Sequence, residues 1–176
     1  AVVEAHGGRF LKSMGAGDST VSVFAVASHA VRAAIDAARA LAAEPWPEGA
    51  AIRARFGVHT GEAQLRGGDY FGQTVNLVAR VRDQALGGEI LLSETTAALT
   101  GSDLPEGYSV VEMGLHNLKG IRRPEAIKAV MGPALATAAA ATECPYRGLL
   151  AFGPADRHLF FGREEVVEEV LARITP

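Results

Sequence analysis

Polar and apolar residues alternate over 19–24 (Ser19-Thr20-Val21-Ser22-Val23-Phe24), and the β-branched content of that run predicts a strand. Upstream, an apolar start over 2–12 carries the turn signal His6-Gly7-Gly8 and then Arg9-Phe10-Leu11-Lys12. The glycine-rich stretch Gly15-Ala16-Gly17-Asp18 joins the two as a strand–loop–strand unit with Asp18 near the loop. Val31, Ala34, Ile35, Ala38, Leu41 and Ala42 then recur at helical spacing, with Ser28 as the expected N-cap and Pro45-Trp46-Pro47 as the stop. Ile52, Ala54, Phe56 and Val58 alternate with Arg53 and Arg55, which predicts a half-buried strand. Gly67-Gly68 marks a turn, and 74–85 is expected to be helical, ended by Gly87-Gly88. A short strand is expected over 89–92, a helix capped by Ser93 through Leu99, and further strands over 108–112 and 126–131. The last two are separated by Leu118-Lys119-Gly120 and Pro124. Strands interleaved with helices predict an α/β fold, an α+β sandwich with one layered sheet.

Residues 132–143 (GPALATAAAATE) are Ala-rich, low in complexity and without an apolar stripe, and are expected to be a linker between a domain over 1–131 and a second one opening at 144. Residues 144–176 contain Phe152, Phe160-Phe161 and an amphipathic stretch over 163–173, too little to bury a core alone. The chain opens Ala-Val-Val-Glu without Met and closes inside a helix-like run, so it is expected to be a fragment of a longer protein.

Composition narrows the class. Of the 176 residues, 48% are hydrophobic and 21% charged, the balance of a core-forming domain. The net charge of -3 removes any electrostatic case for nucleic-acid binding by this segment. The richest apolar run, 24–43, is broken by His29, Arg32, Asp36 and Arg39, so no membrane span is expected. With Cys144 as its one cysteine the chain forms no internal disulfide, and a cytoplasmic location is expected.

Several polar residues have positions suited to chemistry. Asp18, on a strand-connecting loop, is the kind of oxygen ligand that a divalent cation on a polyphosphate uses; a turn aspartate beside glycines is the alternative. Asn76 and Arg80 lie four apart on one face of the expected helix, an amide and a guanidinium suited to a ribose oxygen and a phosphate. An exposed face with Arg80 paired to Asp83 fits the spacing equally. Asp69 follows two glycines and fits a turn or a site. Lys119 and the Arg122-Arg123 pair are candidate phosphate contacts or a solvated basic turn. The histidines at 6, 29, 59, 116 and 158 have no metal-ligand spacing, and His59 is expected to pack at a strand end. No G-x-x-x-x-G-K-[ST] loop occurs.

Taken together, Phe10-Leu11-Lys12…Gly17-Asp18-Ser19…Phe24, Arg55-Phe56-Gly57-Val58-His59-Thr60-Gly61-Glu62, Asp69-Tyr70-Phe71-Gly72-Gln73-Thr74-Val75-Asn76…Arg80, Gly88-Glu89-Ile90-Leu91-Leu92-Ser93 and Leu118-Lys119-Gly120…Pro124 resemble the class III adenylyl/guanylyl cyclase catalytic domain, in order, from about 2 to 131. The resemblance implies a ferredoxin-like nucleotidyl cyclase fold lacking its first strand in this fragment. It implies conversion of ATP to cyclic AMP and pyrophosphate with two Mg2+ or Mn2+ ions, in a head-to-tail homodimer whose sites span both subunits. Asp18 is then the second metal-binding aspartate, Lys12 and Asp69 the pair that reads adenine, Asn76 the ribose-orienting amide and Arg80 the transition-state arginine. Lys119 and Arg122 are the candidates for the triphosphate. The loop before Asp18 is two residues longer than the common K-x-x-G-D form. The family's first metal aspartate stands upstream of Ala1, so the fragment alone is expected to be inactive.

Cys144-Pro145-Tyr146-Arg147-Gly148-Leu149…Phe152…Phe160-Phe161-Gly162-Arg163-Glu164 resembles the opening segment of STAND-type signalling ATPases, ahead of their P-loop. That implies a cyclase domain preceding a nucleotide-driven switch in a multidomain regulator. A catalytically inactive cyclase-like module that binds nucleotide or dimerises to regulate the adjacent ATPase is the alternative.

Overall fold

A computed structural model describes residues 1–14, 19–47 and 50–135, with backbone alone at 12–14. The expected loop at 15–18, most of the expected linker and everything expected of 144–176 lie outside the described residues.

A short helix α1 (Val2–Ala5) leads through Gly7, at φ 70, into β1 (Arg9–Met14), which pairs antiparallel with β2 (Ser19–Val23). Helix α2 (Ala27–Ala43) follows, then β3 (Phe56–Val58), the small hairpin β4 (Gln64–Arg66) and β5 (Asp69–Phe71), and helix α3 (Gln73–Gln84). The described chain ends with β6 (Ile90–Ser93), α4 (Glu94–Thr100), β7 (Ser109–His116) and β8 (Glu125–Met131). Four strands form the main sheet in the order β3-β6-β8-β7, with β3 parallel to β6 and the remaining pairs antiparallel.

The apolar run Ile90-Leu91-Leu92 explains the layering. Successive side chains of a strand point to opposite faces, so a continuous apolar run suits a strand covered on both sides. Ile90 and Leu92, both fully buried, join Val31, Ala34, Ile35 and Ala38 of α2 and Val130 of β8. Leu91 points the other way, into a cluster with Val81, Ala85, Leu118, Ile127 and Ala129, against which Leu77 and Ile121 pack. Burying one such side chain contributes about 1.5–3 kcal/mol, so this strand fixes the two layers together.

The sheet is not the single one expected: among the described residues the β1–β2 and β4–β5 hairpins are separate two-stranded units. Gly67 and Gly68, at φ 57 and 82, make the tight β4–β5 turn, whose flanking strands are too short and too exposed to read as alternation. The strand expected from 52 narrows to 56–58, because before Phe56 the contact with the β6 side is a single bond from Gly88 N–H to the Ala54 carbonyl (2.8 Å) and Ile52 is exposed. Ser28 is not an N-cap. Val26 holds that position without a side-chain cap, and Ser28 is buried in the first turn, its hydroxyl bonded to the carboxylate of Asp103. Ser93 does cap α4, accepting the Thr96 N–H. The strand expected over 108–112 runs on to His116 past a bulge between Glu112 and Gly114, where Gly114 takes φ 86. Beyond β6 on one side, β3 has no ladder partner on its outer edge among the described residues.

Gly57 sets how closely α3 lies on β3: a Cβ there would meet Arg82 N at 2.6 Å and Arg82 Cα at 2.8 Å. Gly57→Ala is expected to destabilise the fold by about 1–3 kcal/mol, read as the shift in a urea unfolding midpoint, because helix backbone cannot yield as a side-chain tip can.

Candidate functional site

Gly72, at φ 126, turns the chain out of β5 and into α3. The core-facing stripe of that helix is half-buried Leu77, fully buried Val81 and, just past its end, Ala85, spaced by four and seated on the second core cluster. Val75, Val78 and Ala79 are half-buried on other sides of the helix. Asn76 and Arg80 precede the stripe by one residue on successive turns and share the flank beside it, with Asn76 exposed and Arg80 half-exposed.

The pairing of Arg80 with Asp83 is realised. Arg80 shares its flank with Asn76, and its Nη1 lies 3.1 Å from Asp83 Oδ2, while Arg82 Nη2 stands 2.7 Å from Asp83 Oδ1. Burial alone pushes the Asp83 carboxyl up, but the hydrogen bonds and charges of Arg82 and Arg80 outweigh it and hold the group below its ordinary value. Pairs this exposed contribute about 0–1 kcal/mol. Asp83 therefore parks the Arg80 guanidinium without fixing it, and a phosphate can compete for the fork.

The turn at 118–121 rests on the same cluster. Leu118 is 3% exposed, Ile121 packs beside it, and the Ile121 N–H closes on the Leu118 carbonyl at 3.0 Å with Gly120 at φ 78. Lys119 and Arg122 project from it into solvent. One apolar cluster thus carries both the Asn76/Arg80 helix and the Lys119/Arg122 turn.

Asp69 opens β5 opposite Arg66 and accepts the Tyr70 N–H at Oδ1 (2.8 Å). The Arg9 guanidinium lies 5.8 Å from the centre of the Tyr70 ring, a cation–π contact that sets β1 beside β5. Lys12 lies on that β1, opposite Val21; its side chain, like all of Asp18, is outside the described residues. Among the described residues no group of three or more His, Cys, Asp or Glu side chains is placed to hold a metal ion.

His59, expected only to pack, has a more specific role in the geometry. Its Nδ1 lies 2.8 Å from Ser93 Oγ, which is 3.1 Å from Thr96 Oγ1, itself 3.1 Å from Thr60 Oγ1. Thr96 is fully buried, and no sequence spacing announces this closed arrangement of four side chains from two separate segments. Burial lowers the imidazole pKa below its ordinary value of 6.5, with Glu125 pulling the other way. The folded state thus prefers the neutral ring, so the unfolded chain binds the proton more tightly and stability falls as pH drops below about 6.5. The melting temperature is expected to decline between pH 7 and pH 5, and His59→Asn, which keeps a partner for Ser93 but does not titrate, is expected to flatten that decline.

Residues 3–131 match the profile of the Adenylate and Guanylate cyclase catalytic domain family, and residues 145–176 match Novel STAND NTPase 1. Uncharacterized protein Rv0891c of Mycobacterium tuberculosis is 41% identical over 128 residues, which is 73% of this chain and 42% of the relative. Uncharacterized protein Rv2212 of the same organism is 35% identical over 123 residues, 70% of this chain and 30% of the relative. The chain therefore spans less than half the length of these curated relatives. Among solved structures, the adenylate/guanylate cyclase/hydrolase of Silicibacter pomeroyi superposes with a TM-score of 0.65 at 28% identity, covering 75% of this chain and 77% of that one. A Trypanosoma brucei adenylate cyclase in its monomeric state gives 0.66 at 18%, covering 78% and 76%. The sheet with its two flanking hairpins is thus the ferredoxin-like fold of these catalytic domains, and the chain belongs to the adenylate and guanylate cyclase catalytic domain family.

Proposed function

We propose that the chain is the larger part of an adenylate cyclase domain working within a longer signalling protein, with residues 1–131 as the cyclase part, 132–143 as a linker and 144–176 as the start of a STAND-type NTPase domain. The observation that carries the reading is the common seat of α3 and the 118–121 turn on one core cluster, in a chain of the cyclase family. A triphosphate needs several cationic donors around it and a polar handle on the sugar. Asn76 and Arg80 on the helix and Lys119 and Arg122 on the turn are the groups this reading assigns to those tasks.

In the proposed reaction the ribose 3'-hydroxyl gives up its proton to water, its oxygen bonds to the α-phosphorus of ATP as the bond from that phosphorus to the bridging oxygen breaks, and pyrophosphate leaves. Asn76 orients the ribose. Arg80 leaves Asp83 and stabilises charge growing on the α-phosphate, while Lys119 and Arg122 hold the leaving diphosphate. Asp69 accepts from the exocyclic amine of adenine and Lys12 donates to a ring nitrogen, which favours ATP over GTP. The two Mg2+ or Mn2+ ions of the family lower the pKa of the attacking hydroxyl and neutralise the leaving group when bound. Asp18 is the ligand this chain would supply; a second aspartate on a strand seated at the open edge of β3 would complete the set.

A second copy is the proposed partner. Phe10, Leu65 and Phe71 are 50%, 58% and 49% exposed on β1, β4 and β5, the strands that carry Lys12 and Asp69 or stand beside them. Apolar side chains so placed beside a site fit a site shared between two subunits. Membrane attachment is not part of the reading: no described helix is long and apolar enough to cross a membrane.

In the longer protein with Mn2+ and ATP, cyclic AMP formation is expected, with Arg80→Ala lowering kcat by about 10²–10³-fold, the size seen for loss of an oxyanion donor. The 176-residue chain alone is expected to give no turnover. Cyclic AMP measured by chromatography decides both, and turnover by the isolated chain or full activity of Arg80→Ala overturns the reading.

A further inference from the structure

We propose that His59 is a positioning residue that fixes α3, and with it Asn76 and Arg80, to the cap of α4. Its consequence for turnover rests on the reading of Asn76 and Arg80 given above; its structural half does not.

The segment 59–62 leaves the end of β3 and is held on two sides. On one side His59 Nδ1 meets Ser93 Oγ at 2.8 Å, and Thr60 Oγ1 meets Thr96 Oγ1 at 3.1 Å. Ser93 is the N-cap of α4 and Thr96 lies in its first turn, where Thr100 Oγ1 donates to the Thr96 carbonyl at 2.8 Å. These anchors are 2% and 0% exposed, so the segment is tied to the rigid interior and not to a surface loop. On the other side the Thr74 hydroxyl, in the first turn of α3, donates to the Glu62 carbonyl.

Between the two attachments stands Gly61. A Cβ there would lie 2.8 Å from Thr74 Oγ1 and 3.1 Å from His59 Nε2. The imidazole and the first turn of α3 therefore close on the same point of backbone from opposite attachments. The N-terminus of α3 has no side-chain cap of its own, since Gly72 occupies that position. The helix start is thus defined by the Glu62–Thr74 bond, and that bond is only as well placed as the segment His59 holds. Asn76 is two residues further on. A shift of this anchor displaces the amide first and the guanidinium one turn later, and misplacement of about 1 Å is enough to cost catalysis heavily.

A neutral ring suits the role. Burial favours the uncharged form, so at neutral pH the imidazole meets Ser93 without bringing a charge inside, and Glu125 from β8 is the charged group facing it.

Amide hydrogen exchange on the 176-residue chain tests the structural half. His59→Ala is expected to raise exchange at the amides of 76–80 by about tenfold, the size of one lost hydrogen bond, with 30–43 of α2 changed less than twofold. Ser93→Ala, which keeps the imidazole but removes its partner oxygen together with the cap of α4, is expected to reproduce the rise at 76–80, and His59→Asn, which leaves that cap in place, to restore protection. Unchanged exchange at 76–80, or a rise spread evenly over α2 and α3, overturns the proposal; if His59→Ala does not fold, Ser93→Ala decides by the same criterion. In the longer protein, Ser93→Ala is expected to lower kcat several-fold at unchanged KM for ATP. A selective rise in exchange in a protein that makes no cyclic nucleotide upholds the positioning role and removes the catalytic reading, whereas full activity with unaltered exchange does the reverse.

Discussion

The structure depends on the burial of β6. Its side chains alternate between two apolar clusters, Ile90 and Leu92 into the layer under α2, Leu91 into the layer under α3. Because a strand's period is two residues, a slip of one position would exchange the clusters and expose both helices' apolar stripes. That single register holds α3 and the 118–121 turn on the same patch of core. The flank carrying Asn76 and Arg80 is a by-product of a stripe whose own business is packing. A site raised on such a stripe is stiff where Val81 is buried and Leu77 packs beside it, and adjustable where Arg80 meets solvent.

Adjustability at Arg80 matters chemically. Asp83 receives two guanidinium groups, and their attraction exceeds the effect of burial and holds its carboxyl below the ordinary value. A deeply buried pair would resist separation, because an uncompensated charge would remain inside. The exposed one costs little to break, and Arg82 would still neutralise Asp83 if Arg80 turned to the phosphate proposed for it. The interior side of the same region is held differently, by neutral hydroxyls and one imidazole, where directionality outlasts changes of salt.

Much of this was legible in the residues. The α2 period, the Ser93 cap, the continuous apolar run at 90–92 and the order of the motifs led to the fold, because each is a local signal that tertiary packing reinforces. The Asn76/Arg80 flank followed from helical spacing alone. What escaped was non-local or weak in period. The β4–β5 hairpin has three-residue strands, one of them fully exposed, so alternation has no length in which to declare itself. Ser28 looked like a cap because its chemistry suits one, yet the cap falls two residues earlier, at Val26, and the hydroxyl serves Asp103 across the fold. The bond from His59 to Ser93 spans 34 positions, and no spacing rule reaches that far.

The central claim is that one nucleoside triphosphate lies against the Asn76/Arg80 flank and beneath the 118–121 turn. A crystal structure of the longer protein with an ATP analogue lacking the 3'-hydroxyl addresses it directly. The account predicts the Arg80 guanidinium within about 3 Å of an α-phosphate oxygen, with the ribose at Asn76 and adenine at Asp69. A bound nucleotide that leaves Arg80 on Asp83 and touches neither Asn76 nor the turn would contradict it.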